Sequence, residues 1–318
     1  MIDSLLDTVL DRTVVGGYTN VGYRIRSRTW HAGDLQRLDG KVVVLSGATS
    51  GIGLAAAEGF LRVGASVRLL VRSEERGAQA RAALTERTGE SDVRISVCDL
   101  GSLESVRACA TRLAAEEPVH VLVNNAGVMT QQRALSADGI ELTLATNVVG
   151  PFLLTNLLIP VLKESAPARV INVSSGGMYT QRITVDDLQS EHERFDGPKA
   201  YARTKRAQVI LTEIWAQRLA DTGVVVHSMH PGWVDTPGVR SSLPRFYKST
   251  RPLLRTPAQG ADTIVWLGAA VEPSHSSGRF WHDRRPRPTH LLPHTRETPQ
   301  ERERLWAECE RLSGWQDP

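Results

Sequence analysis

Cysteine is scarce in this chain. Cys98, Cys109 and Cys309 are widely spaced and never form a C-x-x-C pair, which excludes a disulfide framework and a zinc site. No metal site is expected, and a reducing, cytoplasmic setting is. Charge of one sign is lacking too: 38 basic residues against 35 acidic leave +3, which is no footprint for nucleic acid. Long hydrophobic runs are absent. The most apolar window, residues 148–162, is interrupted by Pro151 and Pro160, and it is short for a bilayer span. The first eleven residues carry Asp3, Asp7 and Asp11 but no Lys or Arg, so no basic-then-apolar signal segment is expected. Lysine is the last scarcity, with 5 against 33 arginines.

What is present is ordinary globular composition. The 318 residues are 41% hydrophobic and 23% charged, enough for one large α/β domain with added segments. From Lys41 onward, short β-branched runs (42–45, 67–71, 93–97, 120–123, 170–173, 224–227) alternate with helical patterns (52–62, 74–86, 103–115, 202–220). That alternation predicts a doubly wound, Rossmann-type parallel sheet with helices on both faces, and ligands beyond the carboxyl ends of its strands. Residues 41–281 form the expected domain. Residues 1–40 are read as an extension opening on an amphipathic helix (Ile2, Leu5, Leu6, Val9, Leu10), and residues 282–318 as a second one. In the latter, Pro286, Pro288 and Pro293 suggest an extended connector. Thr298-Pro299-Gln300-Glu301 then reads as a capping box opening a helix that ends near Gly314.

Ser46-Gly47-Ala48-Thr49-Ser50-Gly51-Ile52-Gly53 directly follows the first apolar run and opens a helix. Glycines there let the backbone approach a pyrophosphate at the helix N-terminus. A tight strand–helix connection would use glycine as well, and the spacing differs from G-x-G-x-x-G. The second strand ends Val71-Arg72-Ser73, with no carboxylate for a ribose 2′-hydroxyl. Arg72 suits a 2′-phosphate instead, so NADP(H) is expected over NAD(H), with a plain surface arginine as the alternative. Tyr201 and Lys205, four apart on one helix face, join a phenol to an ammonium that draws the phenol toward its working range.

Ser46-Gly47…Gly51-x-Gly53, Asn124-Asn125-Ala126-Gly127, Ser175, Tyr201…Lys205 and Pro231-Gly232 occur in one order over residues 41–281. Together they resemble the short-chain dehydrogenase/reductase superfamily. Residues 174–178, 187–191, 195–197, 229–233, 235–240, 259–263 and 277–280 further resemble its subgroup called dehydrogenase/reductase SDR family member 12. The resemblance implies Tyr201 as general acid or base, Lys205 as its partner and holder of the nicotinamide ribose, and Ser175 as donor to the substrate oxygen. It implies a water-linked proton relay from Asn147 to Lys205. By the same resemblance, Asp99 with Leu100 meets adenine, Asn125, Ala126 and Gly127 line its ribose, and Val234 and Thr236 hold carboxamide and pyrophosphate after Pro231-Gly232. Ser46 stands where threonine is usual. Asn124, His230 and Trp233 are read as structural or wall residues, and Ser175 is preferred to Ser174.

The implied activity is hydride transfer between a nicotinamide and a small-molecule carbonyl or alcohol. The alternative is a non-catalytic NADP-binding or sensor protein of the same fold. Ser175 and Tyr201 are 26 positions apart, about twice the family's usual separation, so residues 181–199 are an insertion: a substrate wall or a surface loop. Residues 238–260 hold Arg240, Arg245, Lys248, Arg251 and Arg255 among apolar residues and no acid until Asp262. They fall where the family has a lid, and with similarity to retinol-dehydrogenase-like members they suggest a lipophilic substrate. The acidic polar face of the first helix disfavours lipid contact. Arg12 to Arg28 leave phosphate contact open. The Tyr201 helix and residues 152–162 resemble the family's dimer bundle, so a homodimer is a further expectation unless the extensions cover that face.

Overall fold

A run such as Val42-Val43-Val44-Leu45 has no polar side to show to water and needs cover on both faces. In the computed structural model, which describes Asp7, Leu10 and residues 13–116 and 118–317, β1 (Val42–Ser46) is buried along its length. Val42 and Val44 enter one apolar cluster, Val43 and Leu45 the other, as strand alternation requires. β2 (Ser66–Val71), β3 (Val93–Val97), β4 (Val121–Asn124), β5 (Ala168–Val173) and β6 (Val224–Met229) follow. β7 (Phe280–His282) and β8 (Arg285–Arg287) complete the sheet.

The spatial order is β3-β2-β1-β4-β5-β6-β7-β8. Pairs are parallel through β7, and β8 returns antiparallel. This is the doubly wound sheet that the alternation predicted, and the chain reverses its direction of winding between β1 and β4, where such folds open a crevice. Helices Gly51–Arg62, Glu74–Thr88 and Pro257–Ala269 cover one face through Phe60, Leu84 and Trp266. Helices Leu103–Glu116, Gly150–Glu164 and Gly197–Arg218 cover the other through Val106, Phe152 and Trp215. The last of these begins five residues before the expected 202. Asp196 Oδ1 accepts from the Lys199 amide at 2.9 Å and Pro198 stands in the first turn, an N-terminus in the usual form.

Among the described residues, one helical stretch, Leu142–Glu164, is long and apolar enough to cross a bilayer; here most of it is buried in the core. It includes a π-helical turn at Ala145–Val149.

The sheet continues past residue 281, where the C-terminal extension was drawn. Pro286 lies in β8, an edge strand that tolerates a missing N–H, and not in an extended connector. The turn before it is Asp283-Arg284, with φ of +51° and +56°, a two-residue hairpin without the Asn-Gly that advertises one. The C-terminal helix Pro299–Ser313 has its capping box at Thr298 and Glu301 and ends at Gly314 with φ +60°, as read. Its Trp306 packs edge-on to Phe152 and Trp215 at 4.9 and 6.0 Å, with the Arg218 guanidinium 3.9 Å over its ring. The part of the expected dimer face around Phe152 and Trp215 is therefore covered by the chain itself.

Of the amphipathic first helix, Ile2, Leu5, Leu6 and Val9 lie outside the described residues. Asp7 is buried and accepts from Arg26 at 2.7 Å and Arg287 at 2.8 Å. Arg26, one of the arginines left open to phosphate, is thus spent inside the protein. Short helices Val14–Tyr18 and Asn20–Arg26 follow, capped by Thr13 and Thr19.

Candidate active site

A cleft of about 950 Å³ opens at the carboxyl ends of the strands. Its floor begins at the turn after β1. Gly47 has φ +69°, and a Cβ on it would lie 2.8 Å from Ala126 Cα. A Cβ on Gly53 would lie 2.2 Å from the Gly47 carbonyl. These two positions require glycine for close approach. Ser50 makes no side-chain cap to the helix that follows, which suits amides meant for an anionic ligand. Ser46 Oγ, 1% exposed, accepts from the amides of Asn125 (3.0 Å) and Ala126 (3.1 Å), while Asn125 Nδ2 donates to the Ser46 carbonyl at 2.9 Å. The β1 and β4 turns are thereby tied together. These side chains shape the cradle as well as line it.

The structure brings Ser46, Gly47, Thr49, Ser50, Gly51, Ile52, Gly53, Arg72, Asp99, Leu100, Asn125, Ala126, Gly127, Ser175, Tyr201, Lys205, Pro231, Gly232, Val234 and Thr236 to this one cleft. Asn147 is the exception among the expected site residues. It is fully buried behind the wall, where its Oδ1 accepts from the Val128 amide at 2.8 Å and its Nδ2 donates to Thr204 Oγ1 at 3.0 Å. Asp99 Oδ1 accepts from the Gly101 amide at 2.9 Å, which orients the carboxylate at the rim. Arg72 is exposed there with Arg76 beside it. Arg76, in the first turn of the helix Glu74–Thr88, also lines the cleft and was missed.

Ser174 spends its hydroxyl on the Lys205 carbonyl at 2.8 Å, while Ser175 lines the cleft and hydrogen-bonds Tyr201. Lys205 Nζ stands 5.4 Å from the Tyr201 ring centre. The expected depression of the phenol is overturned in the protein by itself. Burial pushes Tyr201 up to about 12, only partly opposed by the Ser175 hydrogen bond. Burial likewise lowers Lys205 to about 7. Both groups are desolvated, so each favours its neutral form. Asn124 is structural as read, but through side chains: its Nδ2 donates to Asn172 at 2.8 Å and Thr155 at 3.0 Å. His230 stacks on His282 at 4.1 Å and takes the Gly232 amide on Nδ1 at 3.0 Å.

The far wall belongs to helices Pro237–Ser242 and Pro244–Thr250. Val239, Leu243 and Phe246 face the cleft with Trp233 and Met129, and Trp233 meets Phe246 edge-on at 4.9 Å. The five basic residues of this region do not form one face. Arg240 pairs with Asp235 at 2.7 Å, and Arg255 is buried against Asp283 at 2.6 Å. The inserted segment braces the C-terminal helix, through Arg182 to Glu301 at 2.9 Å and Asp186 to Arg304, and takes Arg133 on the Gln189 carbonyl at 3.0 Å. Only its Pro198 reaches the cleft.

Unanticipated support comes from residues 17–20. Tyr18 O accepts from the Trp233 amide at 2.7 Å, Gly17 O from Arg255 at 3.0 Å, and Asn20 donates to Pro252 O at 3.1 Å.

Residues 41–245 match the family model for short chain dehydrogenase. The chain belongs to that family. It is 42% identical over 299 residues to dehydrogenase/reductase SDR family member 12 of Bos taurus, covering 93% of this chain and 94% of that one. It is 39% identical over 293 residues to retinol dehydrogenase 12 of Bos taurus, covering 90% and 92%. Among solved structures it resembles a putative NAD(P)-dependent gluconate 5-dehydrogenase from Beutenbergia cavernae with NADP bound at low occupancy. The TM-score is 0.62 and the identity 28%, over 77% of this chain and 95% of that one. As a member of this family the chain is an oxidoreductase whose fold binds a nicotinamide cofactor, and the glycine cradle and uncapped helix start above fit one.

Proposed function

We propose that the protein is an NADP(H)-dependent reductase of lipophilic aldehydes or ketones, able to run in reverse on the alcohols. The observation that carries this reading is the meeting of Ser175, Tyr201 and Lys205 in a cleft with a glycine cradle at one end and an apolar wall at the other. Bound there, the nicotinamide supplies the hydride. Ser175 donates to the carbonyl oxygen and steadies the charge that develops on it. Tyr201, held protonated at neutral pH by burial, gives its proton to that oxygen. Lys205 would hold a hydroxyl of the cofactor's ribose. Arg72 and Arg76 at the rim favour a 2′-phosphate, and the relative with bound NADP is consistent with that choice. The wall of Met129, Trp233, Val239, Leu243 and Phe246 supports an apolar substrate, as does likeness to a retinol dehydrogenase. A cytoplasmic setting is part of the same proposal, supported by three cysteines that are all free and buried.

The test is a panel of aldehydes and ketones of rising chain length with NADPH. Turnover should rise with apolar length, and Tyr201→Phe should reduce it by about 10²–10⁴-fold while NADPH affinity stays near wild type. NADPH binding with no turnover across the panel would favour the sensor reading. Turnover kept by Tyr201→Phe would remove the mechanism.

A further inference from the structure

Lys205 reaches the interior through a side chain. Its Nζ donates to the Val173 carbonyl at 2.8 Å and to Gln208 Oε1 at 3.0 Å. On the far side of the same amide, Gln208 Nε2 donates to the Asn147 carbonyl at 2.8 Å. Gln208 is 3% exposed and Asn147 fully buried. The orientation of the amide is forced, because the Asn147 carbonyl only accepts, which turns Oε1 to the amine. Gln208 therefore occupies the route that a water-linked relay between Asn147 and Lys205 would take.

An amide is a poor substitute for water in such a route. Water takes a proton and releases another from the same oxygen. The amide would have to gain a proton on oxygen and lose one from nitrogen, passing through its imidic acid. The donor count points the same way. In its charged form the amine has three N–H groups; Val173 and Gln208 take two. Gly127 keeps the amine open toward the cleft, since a Cβ there would lie 3.4 Å from Nζ.

We propose that Gln208 is a positioning residue: it fixes the Lys205 amine with one N–H left for the cleft, and it replaces an interior water relay with a strut that conducts no protons. Protons exchanged by Tyr201 then reach solvent through the cleft mouth. This rests on the nicotinamide reading of the site. Gln208 lies three residues beyond Lys205, on the same helix face, so its presence was legible but its partners were not.

The test compares Gln208→Leu with Gln208→Glu. With only 5 lysines in the chain, the ¹³Cε resonance of Lys205 can be assigned by its loss in Lys205→Met and titrated in the ligand-free protein. Burial alone lowers this lysine, with no charged side chain sharing in the shift. A carboxylate at 208 should raise its titration by about one unit or more. Gln208→Leu should weaken NADPH by about 5- to 20-fold, the loss of one charge-assisted hydrogen bond. Folded variants whose Lys205 titration and NADPH affinity both match wild type would overturn the proposal. Should the leucine variant not fold, the glutamate variant decides alone. Failure of the oxidoreductase reading looks different: the wild type would then bind no NADPH or turn over no carbonyl, while the Lys205 titration still reports on Gln208.

Discussion

Asp283→Asn probes the carboxylate buried between Arg255 and Arg26. Asp283 accepts from Arg255 Nη1 at 2.6 Å, from Arg255 Nη2 at 2.9 Å and from Arg26 at 2.8 Å, and its side chain is 1% exposed. His282, 3.3 Å away, is lowered to about 4 by burial, so it brings no positive charge at neutral pH. Arg255 would be left with carbonyls, the His282 and Tyr23 rings and a neutral amide, none of them charged at neutral pH, at less than 2% exposure. Removing one partner of a buried pair costs about 3–5 kcal/mol, a large share of the roughly 5–15 kcal/mol that holds a domain folded. Asparagine tolerates the left-handed φ of +51° at this position, so the backbone is not a confounding cause. Urea unfolding at pH 7, followed by tryptophan fluorescence, measures the loss. Acid should narrow the gap. Burial alone would raise Asp283, but His282 and the two arginines outweigh it and the net shift is downward. Its stabilisation is therefore complete above the unfolded carboxylate range and lost as pH falls below about 4. A loss under about 1 kcal/mol at pH 7 would refute the idea that this hub clamps residues 17–26 to the segment behind the cleft's far wall.

Three further outcomes are expected. Arg72→Asp should weaken NADPH by about 10- to 100-fold and leave NADH little changed, as read by calorimetry; equal losses would remove the 2′-phosphate assignment. Gly53→Ala forces a methyl within 2.2 Å of the Gly47 carbonyl, and should cost about 1–3 kcal/mol in thermal unfolding together with cofactor affinity. Lys205→Met should change the pH dependence of stability. The folded pKa of about 7 lies below the usual 10.5, so wild type gains stability as pH rises from 7 to 10, by up to about 1.4 kcal/mol per unit. The variant should lack that slope in parallel urea titrations.

Much of the site was legible because its chemistry is local. Glycines next to a buried strand, and a phenol four residues before an ammonium, keep their meaning wherever the chain goes. The strands were readable for the same reason, since Val42–Leu45 can only be covered on both faces. β8 was hidden because Pro286 and a turn of Asp283 and Arg284 imitate a connector. The upward shift of the phenol in the ligand-free protein was not legible, because spacing says nothing of desolvation, which acts on both groups at once.

By itself, then, the sequence determined the sheet, the cradle and the side chains that meet in the cleft: periodicity and short spacings are properties of the chain. The tertiary structure decided what lies behind them. Asn20 meets Leu254 from 234 positions away, and Arg26 meets Asp283 from 257. Gln208 meets the Asn147 carbonyl across 61. Such contacts depend on the path of the whole backbone, which no local pattern encodes. In this protein they hold the lysine, the far wall of the cleft and the buried charges in place.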